Sequence, residues 1–448
     1  MKAFLHTFGC KANQYDTERM RQELEARGGA VAGTWKEADV CVLNTCTVTN
    51  QADADARKMI RRIARERPKA RIVVAGCSAV LRADEYRTMR GVISVVEGHD
   101  ASEVAIAALG APDVSPVSRG PLVQIGLRAP LDRIDTEPVG GELLAQRRGA
   151  TRGWLKIQDG CDRKCSFCAT RLARGASRSR SPDEVLAEAL LLGRAHPEIV
   201  LTGIHIGHWG RDLPDGPHGP WTLSRLVDLI LERVPDVRIR LGSVEGTEVD
   251  DDLIDLLERS GGRLAPHLHM PLQSGSDPVL RRMRRWHTRE AYRRRALEIA
   301  SRVTTLGLGA DIITGFPGET DRDHAATVAL VDELPFTYLH VFPFSPRDDT
   351  VAAGLNEMDP VPQRVAGERS RELRERVQAA ARAYRSRRSG ENAEVTIEHQ
   401  GRQALTGDYL RVAARGAEAA DPRRLHIGVL RGEGDQLYID VTQGTDPI

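Results

Sequence analysis

The first hundred residues alternate between short apolar runs and longer stretches in which apolar residues recur every three or four positions. The short runs are typical of buried strands, and the longer stretches are typical of amphipathic helices. The predicted strands are Lys2–His6, Val40–Leu43 and Arg71–Ala75, and the predicted helices are Asp16–Arg27 and Asp53–Arg67. Strands that alternate with helices usually pair in parallel, so the pattern predicts an open α/β domain over residues 1–105.

From residue 151 onward, the alternation continues through six further β/α repeats. The runs predicted as strands are Leu155–Gln158, Ile199–Thr202, Val237–Leu241, His267–Leu272, Ala310–Thr314 and Tyr338–Phe342. Six such repeats predict a parallel, partial (β/α)6 barrel, whose active site should lie at the carboxyl ends of the strands. A charged helical pattern over Asp359–Ser389 follows, and we assign residues 151–388 to this central domain.

Two stretches depart from this alternation. Residues 106–150 are predicted as a linker because prolines punctuate them, at Pro112, Pro116, Pro121, Pro130 and Pro138. Residues 389–448 contain short apolar runs with glycine turns: Ala393–Ile397, Ala404–Thr406, Leu410–Val412, His426–Val429 and Leu437–Val441. This last pattern predicts a small five-stranded β-barrel, a fold that often binds RNA.

The bulk composition narrows the class of protein. The 448 residues include 64 basic and 63 acidic side chains, so contacts with nucleic acid must come from local patches of charge. No apolar run is long enough to cross a membrane, and the first residues lack the apolar core of a signal peptide, which predicts a cytoplasmic protein. In a reducing compartment, the 7 cysteines are better explained as metal ligands or buried thiols than as disulfides.

Three of these cysteines lie on one short loop. An apolar run ends at Gly160, and Cys161, Cys165 and Cys168 follow, separated by three and then two residues. Three thiolates so close in sequence can hold three corners of an iron–sulfur cube, which leaves the fourth iron open to a small molecule. A structural zinc site is the alternative, but zinc prefers four ligands, and no fourth Cys or His lies nearby in sequence.

Three more cysteines follow the three predicted strands of the first domain. Cys10, Cys46 and Cys77 lie about two to four residues after the predicted strands, and ligands of open α/β sheets bind at the carboxyl ends of strands. We therefore expect these thiols to converge, with three separate buried thiols as the alternative. Cys41 lies between valines within a strand, which predicts a core residue.

Small and polar residues follow the predicted barrel strands at the expected active-site end. Gly203 follows the second strand, Ser243 and Glu245 the third, and Gln273 the fourth. A glycine lets the backbone approach a ligand closely, and Ser or Glu can bind ribose hydroxyls. Each residue alone is equally typical of a turn, so their shared position carries the prediction of a cofactor site.

The three-cysteine loop resembles that of the radical S-adenosylmethionine (SAM) enzymes, and the whole chain resembles their methylthiotransferase subfamily. Six further motifs carry the second resemblance: Gly9–Gln14, Asn44–Thr49, Ala75–Cys77, Leu268–Ser276, Gly315–Thr320 and Thr406–Val412. The resemblance implies an N-terminal methylthiotransferase domain, a radical SAM barrel and a C-terminal TRAM domain.

The same resemblance implies two 4Fe–4S clusters, one on each set of three cysteines, and SAM as cosubstrate. In this family the cluster of the barrel splits SAM to a radical, and the N-terminal cluster holds the sulfur to be inserted. An aromatic C–H resists acid–base chemistry, so its conversion to C–S requires such a radical. The family also implies an electron donor and a sulfur source, whose identities the sequence does not give.

The first motif indicates the branch of the family. Lys11 after Cys10, with Asn13 two residues further on, resembles the enzymes that modify threonylcarbamoyladenosine in tRNA. The implied substrate is N6-threonylcarbamoyladenosine at position 37 of the tRNA anticodon stem-loop, methylthiolated at C2. The alternatives are a methylthiotransferase that acts on isopentenyladenosine tRNA or on a ribosomal-protein Asp, and a non-catalytic Fe–S protein that binds RNA.

One position departs from the family pattern. Arg171 stands where the family usually has a proline after the three-cysteine loop.

In the last domain, local positive charge is expected from Arg402, Arg411, Arg415, Arg423 and Arg424. Tyr409 beside them could stack on an unpaired base, so the sequence predicts an RNA-binding face, with an ordinary solvated surface as the alternative.

Overall fold

The structure is a computed structural model that describes residues 1–47, 50–110, 139, 143–434 and 436–441. The five prolines on which the linker prediction rests lie outside the described residues. The chain divides into two compact units. The first comprises Met1–Leu144, Asp159–Arg163 and Cys168–Arg178, and the second comprises Ala145–Gln158, Lys164–Phe167 and Ser179–Ile448.

The first unit is built on a five-stranded parallel sheet. Its strands are β1 (Lys2–Thr7), β2 (Ala30–Val31), β3 (Val40–Thr45), β4 (Arg71–Gly76) and β5 (Val92–Val95), in the order β2-β1-β3-β4-β5. The central strand β3 is buried along its whole length, as expected for a strand covered on both faces. The open α/β prediction is therefore confirmed, and β2 and β5 are the strands that it missed.

Helices cover both faces of this sheet. They are Lys11–Ala26, Asn50–Glu66, Cys77–Leu81, Ala83–Arg87 and Ala101–Leu109, and Thr170–Arg174 belongs to the same unit. One face packs Met20, Leu24 and Val104 against Val42, and the other packs Ile60 and Ile63 against Leu43 and Val74. The first helix begins five residues before the predicted start, since it begins directly after Cys10.

The second unit contains six parallel strands in two sheets of three. The strands are β6 (Gly153–Lys156), β9 (Glu198–Thr202), β10 (Arg238–Leu241), β11 (His267–His269), β12 (Gly307–Thr314) and β13 (Tyr338–Pro343). Their orders in the two sheets are β10-β9-β6 and β11-β12-β13, and an isolated parallel bridge between Ser243 and His269 connects the two sheets. This is the predicted six-stranded partial barrel, and β7 (Gln158–Asp159) and β8 (Arg178–Ser179) are two additional short strands.

The helices between these strands begin at the caps that the sequence provides. Ser181 caps the first of them in a capping box with Glu184, and Thr320 forms a second box with Asp323. The helices of the unit are Pro182–Gly193, Leu223–Arg233, Asp251–Arg259, Asp277–Arg282, Arg289–Arg302, Asp321–Glu333, Val351–Met358 and Gln363–Arg388. Short 3-10 turns follow two strands, at Ile206–His208 and Gly246–Glu248. In the described part of the chain, none of the helices combines the length and apolarity needed to span a bilayer.

The C-terminal residues of the second unit form a closed five-stranded barrel, as predicted. The strands are β14 (Asn392–Glu398), β15 (Gln403–Thr406), β16 (Arg411–Arg415), β17 (His426–Glu433) and β18 (Gln436–Val441), in the order β14-β15-β16-β18-β17. Alternate side chains such as Val395, Ile397 and Ile439 fill the interior. Closure pairs the edges of the sheet, which a small isolated sheet would expose.

Two buried arginines join this small barrel to the amino ends of the parallel strands. Arg238 and Arg240 share the buried carboxylate of Glu198, with nitrogen–oxygen distances of 2.6–2.9 Å. Their remaining N–H groups donate to backbone carbonyls of the small barrel, including Leu405 and Gly407. Burying two cations beside one carboxylate is tolerated because carbonyl oxygens satisfy the other donors.

Candidate functional site

The structure places Cys10, Cys46 and Cys77 at the carboxyl ends of β1, β3 and β4. Cys10 precedes the first helix, Cys46 follows β3 directly, and Cys77 begins a short helix after β4. Cys10 is exposed, whereas the other two are buried. Three elements with no short sequence link therefore bring three thiols to one edge of the sheet, where open α/β sheets bind ligands.

Asn13 lies at the centre of this group. The Sγ atoms of Cys10 and Cys77 lie 3.4 and 3.8 Å from its Oδ1 atom. The Asn13 amide donates to the Thr45 carbonyl at 2.7 Å, which ties the first helix to the end of β3. Gly9, at φ +117°, has no room for a side chain, because a Cβ would lie 2.5 Å from the Cys46 Sγ. The thiols thus share one packed environment.

The chemistry of this donor set fits an iron–sulfur cluster. Three soft sulfur donors on separate elements are the usual protein ligands of such a cluster. Burial raises the pKa of the Cys77 thiol to about 12, against a smaller opposing effect of the Arg174 charge. A metal is the partner that makes a deprotonated thiol stable in such a buried position.

Arg174 contacts this thiol group from the segment after the three-cysteine loop, which belongs to the same unit. Its Nε donates to the Cys77 Sγ at 3.3 Å. Its terminal nitrogens donate to Asp159 at 2.8 and 2.9 Å and to Asp16 at 2.7 Å. The sequence analysis assigned no role to Arg174, because its partners lie up to 161 residues away in sequence.

The start of the three-cysteine loop is fixed by backbone contacts. Gly160 has φ +71°, and a Cβ on it would lie 1.7 Å from the carbonyl oxygen of Ala176. The next residue, Cys161, donates its backbone N–H to the Gly175 carbonyl at 3.1 Å. The Thr170 N–H points to the Cys168 Sγ at 3.4 Å. Arg171 is accommodated in the short helix Thr170–Arg174, so its substitution for proline leaves this turn regular.

Among the predicted SAM contacts, Gly203 lies at a position with no room for a side chain. A Cβ there would lie 2.7 Å from the Gln158 carbonyl oxygen. The side-chain Oε1 of Gln158 accepts the backbone N–H groups of Ile204 and His205 at 3.1 and 2.7 Å. Gln158 was not predicted, although its place at the end of the first barrel strand could have indicated it.

The other three predicted contacts lie at the carboxyl ends of neighbouring strands. Ser243 is exposed, whereas Glu245 and Gln273 are buried. Burial raises the pKa of Glu245, and the charge of its ion-pair partner Arg285 opposes this shift. Arg285 also directs a terminal nitrogen to the Cys165 Sγ at 3.6 Å. A cation thus joins a predicted cofactor contact to a predicted cluster ligand, and no sequence pattern had marked Arg285.

Two groups of histidine and carboxylate side chains also line this second unit. Glu248 accepts from the His205 Nε2 at 2.8 Å and lies 3.1 Å from the His208 Nε2. Burial would raise the pKa of Glu248, but hydrogen bonding to the two imidazoles holds it well below its usual range. Asp311 similarly contacts His269 and His340, each at 3.2 Å. Sequence reasoning missed both groups, because the members of each lie on different elements of the fold.

The structure corrects one expectation for the C-terminal barrel. Tyr409 does not present its ring for stacking on a base, since it packs on the His267 ring with centroids 4.3 Å apart. Arg415 pairs with Glu433, and Arg423 pairs with Asp421. Arg402, Arg411 and Arg424 are exposed. A tyrosine near arginines in sequence gave the wrong result because the turn at φ +70° directs its ring toward the parallel strands.

Comparison with protein families identifies two segments. Residues 2–98 match the model described as "Uncharacterized protein family UPF0004", and residues 155–331 match the radical SAM superfamily. The first match includes Cys10, Cys46 and Cys77, and the second includes the three-cysteine loop.

Relatives match over nearly the whole chain. A threonylcarbamoyladenosine tRNA methylthiotransferase MtaB of Bacillus subtilis is 35% identical, covering 95% of this chain and 93% of the relative. The enzyme of the same name from Thermotoga maritima is 33% identical, covering 88% and 86%. A tRNA-2-methylthio-N(6)-dimethylallyladenosine synthase of Paracoccus denitrificans is also 33% identical, covering 95% and 94%.

A solved structure supports the fold alone. The radical SAM methyltransferase TsrM of Kitasatospora setae, with cobalamin and a [4Fe-4S] cluster bound, superposes with a TM-score of 0.55 at 17% identity. The match covers 79% of this chain and 74% of that chain.

Proposed function

The chain belongs to the radical SAM methylthiotransferases of tRNA, and we propose that it converts N6-threonylcarbamoyladenosine at position 37 to its 2-methylthio derivative. Full-length relatives named for threonylcarbamoyladenosine support this choice of substrate. Relatives named for dimethylallyladenosine are about as similar, so identity alone does not separate the two substrates. The motif of Cys10, Lys11 and Asn13 is the observation that favours threonylcarbamoyladenosine.

The two sets of three cysteines are proposed to hold one 4Fe–4S cluster each. Cys10, Cys46 and Cys77 would hold the N-terminal cluster, and Cys161, Cys165 and Cys168 would hold the cluster that binds SAM. Clusters with an open iron, together with SAM, supply the one-electron chemistry that an unreactive aromatic C–H requires. The buried environment of Cys77 supports this role, because a metal stabilises the thiolate that burial disfavours.

Residues at the carboxyl ends of the parallel strands are proposed to bind SAM. Gly203 would let the backbone approach the nucleoside, and Ser243 and Glu245 would accept or donate to its hydroxyl and amino groups. Gln273, held at φ +66° by backbone bonds to Asp311 and Ile313, would bring its amide to the same ligand. Arg285 would position Glu245 through their ion pair.

The remaining partners follow from this reaction. The substrate is proposed to be the anticodon stem-loop, whose single-stranded loop exposes position 37 to a protein. An electron donor and a sulfur source are required by the stoichiometry of sulfur insertion. We propose four parts of the chain: the methylthiotransferase domain at residues 1–105, the linker at 106–150, the radical SAM domain at 151–388 and the TRAM domain at 389–448. A cytoplasmic location would give access to tRNA.

Nucleoside mass spectrometry of a deletion strain tests the proposal. We expect 2-methylthio-N6-threonylcarbamoyladenosine to disappear and its unmodified precursor to accumulate. The gene for the intact protein should restore the product, and a Cys161→Ala copy should not. Loss of the isopentenyladenosine derivative, or of the methylthio group on a ribosomal-protein Asp, would identify one of the other substrates.

A second measurement distinguishes an enzyme from a non-catalytic Fe–S protein that binds RNA. The reconstituted and reduced protein is mixed with SAM, and 5′-deoxyadenosine is quantified. Production of this nucleoside is expected, and its complete absence from cluster-loaded protein would contradict the enzymatic proposal.

A further inference from the structure

Arg174 is among the most completely satisfied buried cations in the first unit. Its side chain is 1% exposed. Besides Cys77, Asp159 and Asp16, it donates to the Asn13 Oδ1 at 3.0 Å and lies 3.5 Å from the His99 Nδ1. The same Asn13 oxygen lies beside the Cys10 and Cys77 thiols. A guanidinium held from every side cannot move away from the sulfur without breaking several charge-assisted bonds.

Arg174 contacts one sulfur and two carboxylates through different nitrogens. Its Nε points to the Cys77 Sγ at 3.3 Å, and its terminal nitrogens face the carboxylates of Asp16 and Asp159. Both carboxylates are almost fully buried, so solvent screens none of these charges effectively. One cation therefore compensates two carboxylates and a sulfur ligand in a region of low dielectric.

The arrangement also ties the cysteine group to the start of the second cysteine set. Asp159 comes directly before Gly160, and its Oδ1 accepts the Gly160 N–H at 2.8 Å as well as an Arg174 N–H. Cys161 follows and is bound to the Gly175 carbonyl, one residue after Arg174. A single side chain therefore contacts a ligand of one predicted cluster and the residue that orients the loop of the other.

We propose that Arg174 is a positioning residue that sets the reduction potential of the N-terminal cluster through its hydrogen bond to Cys77. The inference rests on the proposed function, which places that cluster on Cys10, Cys46 and Cys77. Hydrogen bonds to cluster sulfurs and local charge are the means by which proteins tune such potentials. Reduction adds negative charge to the cluster, so the cation stabilises the reduced form and raises the potential.

Removing the cation and removing a carboxylate should shift the reduction potential of the cluster in opposite directions. Arg174→Gln removes the cation and leaves both carboxylates, which should lower the potential. Asp16→Asn keeps the cation and removes one carboxylate, which should raise it. Arg174→Lys keeps the charge in the same space and should lie near the reference. A residue that only supports the fold would shift both neutral variants in the same direction or neither.

The experiment uses the full-length chain with Cys161, Cys165 and Cys168 replaced by Ala, so that the EPR signal comes from the N-terminal cluster alone. This reference and its Arg174→Gln, Arg174→Lys and Asp16→Asn derivatives are reconstituted, and each is titrated with reductant while the reduced-cluster signal is recorded. We expect the ratio of reduced to oxidised cluster at a fixed potential to fall at least tenfold in Arg174→Gln, which is 59 mV for one electron. In Asp16→Asn the ratio should rise.

Each outcome bears on a separate part of the inference. If Arg174→Gln binds no iron, an unshifted potential in Arg174→Lys and a raised potential in Asp16→Asn still support the role of charge. An unmoved or lowered potential in Asp16→Asn would overturn the inference while leaving the cluster assignment intact. Absence of any cluster from the reference protein would overturn both the assignment and the inference that rests on it.

Discussion

Six cysteines carry the proposed chemistry, and the seventh shows what distinguishes them. Cys41 lies within β3, fully buried between apolar neighbours, and burial raises the pKa of its thiol to about 11. The other six follow strands or lie on one loop, at the strand ends where open α/β sheets and barrels bind ligands. Replacing Cys41 by Ala is therefore a control that removes a thiol without removing a proposed ligand.

The cysteines of the loop should be required for SAM cleavage. Replacing Cys161, Cys165 and Cys168 together by Ala should reduce 5′-deoxyadenosine production to background, because a cluster held by three thiolates loses all of them. The measurement is the yield of 5′-deoxyadenosine after reduction. The control variant Cys41→Ala should give the same yield as the wild-type chain. Normal production in the triple variant would contradict the assignment of this cluster.

The N-terminal cysteines should be dispensable for that step. Replacing Cys10, Cys46 and Cys77 by Ala should retain SAM cleavage, abolish the methylthio product and lower iron content by about half, since each set holds one cluster. Iron analysis and product mass spectrometry of the same preparation check this. Unchanged iron with full product yield would show that these thiols are structural.

His287 should make stability depend on pH. Burial, with a further contribution from the Arg285 charge, lowers the pKa of His287 to about 4, whereas an unfolded histidine has a pKa near 6.5. Between these values the unfolded chain binds a proton that the folded chain does not, so stability falls as pH decreases from about 6.5 to about 4. Over this whole pH range the contribution to the free energy of unfolding is at most about 3.4 kcal/mol.

The measurement is the thermal midpoint at pH 7 and at pH 5. His287→Gln should lose less stability than the wild-type chain on this acidification, since an amide can also donate to the Leu272 carbonyl that His287 contacts at 3.2 Å. His218→Gln, at an exposed loop position, is the matched control. Equal losses in all three proteins would show that His287 does not titrate in this range.

At the scale of elements, the loop that begins at Gly160 depends on a backbone conformation. Gly160→Ala should abolish cluster binding at the loop, because its Cβ would overlap the Ala176 carbonyl and φ is +71°. Gly149→Ala is the matched control, with φ +69° and no atom within 4 Å of the added Cβ. In both variants the left-handed backbone conformation costs about 1–2 kcal/mol once a Cβ is present. A difference in iron content between the two variants is therefore due to the steric clash at Gly160. Similar iron content in both would contradict this explanation.

Strands and cysteines were predictable because local patterns specify them. Apolar runs marked β3, β4 and β9, whose burial is complete or nearly complete. The two-residue β2 and the partly buried β5 carry too weak a pattern, and they form because neighbouring strands offer an edge.

The polar network of the site was not predictable for a different reason. Arg174, Arg285 and Glu248 act through partners on other elements, and sequence spacing carries no information about such contacts. Tyr409 shows the opposite error, in which proximity to arginines in sequence suggested a surface role for a packed ring.

At the scale of the whole molecule, exposed charge on the small barrel should affect tRNA binding. Arg411→Glu should weaken tRNA affinity and reduce the slope of log affinity against log salt by about 1, because one phosphate contact is lost. Affinity is measured at two salt concentrations, with Arg233→Glu on an exposed helix position as the control. An unchanged slope in Arg411→Glu would remove Arg411 from the RNA-binding surface.

Charge reversal is a sharper test than removal of residues 391–448. Arg238 and Arg240 donate to carbonyls of the small barrel, and truncation would leave both buried cations without these acceptors. Loss of tRNA binding in the truncated chain would then report damage to the parallel strands as well as loss of a surface.

The contact between Gly307 and Asp408 limits how modules of this family can be exchanged. A Cβ on Gly307 would lie 2.1 Å from the Asp408 carbonyl oxygen, and Tyr384 and Arg388 hold the Asp408 side chain at 2.7 and 3.0 Å. A chimera joined at residue 389 would therefore inherit one half of this fit from each parent. The C-terminal barrel, the helix Gln363–Arg388 that precedes the barrel, and Gly307 must therefore come from the same parent. A chimera of two relatives should fold only where both parents have the same residues at these contacts.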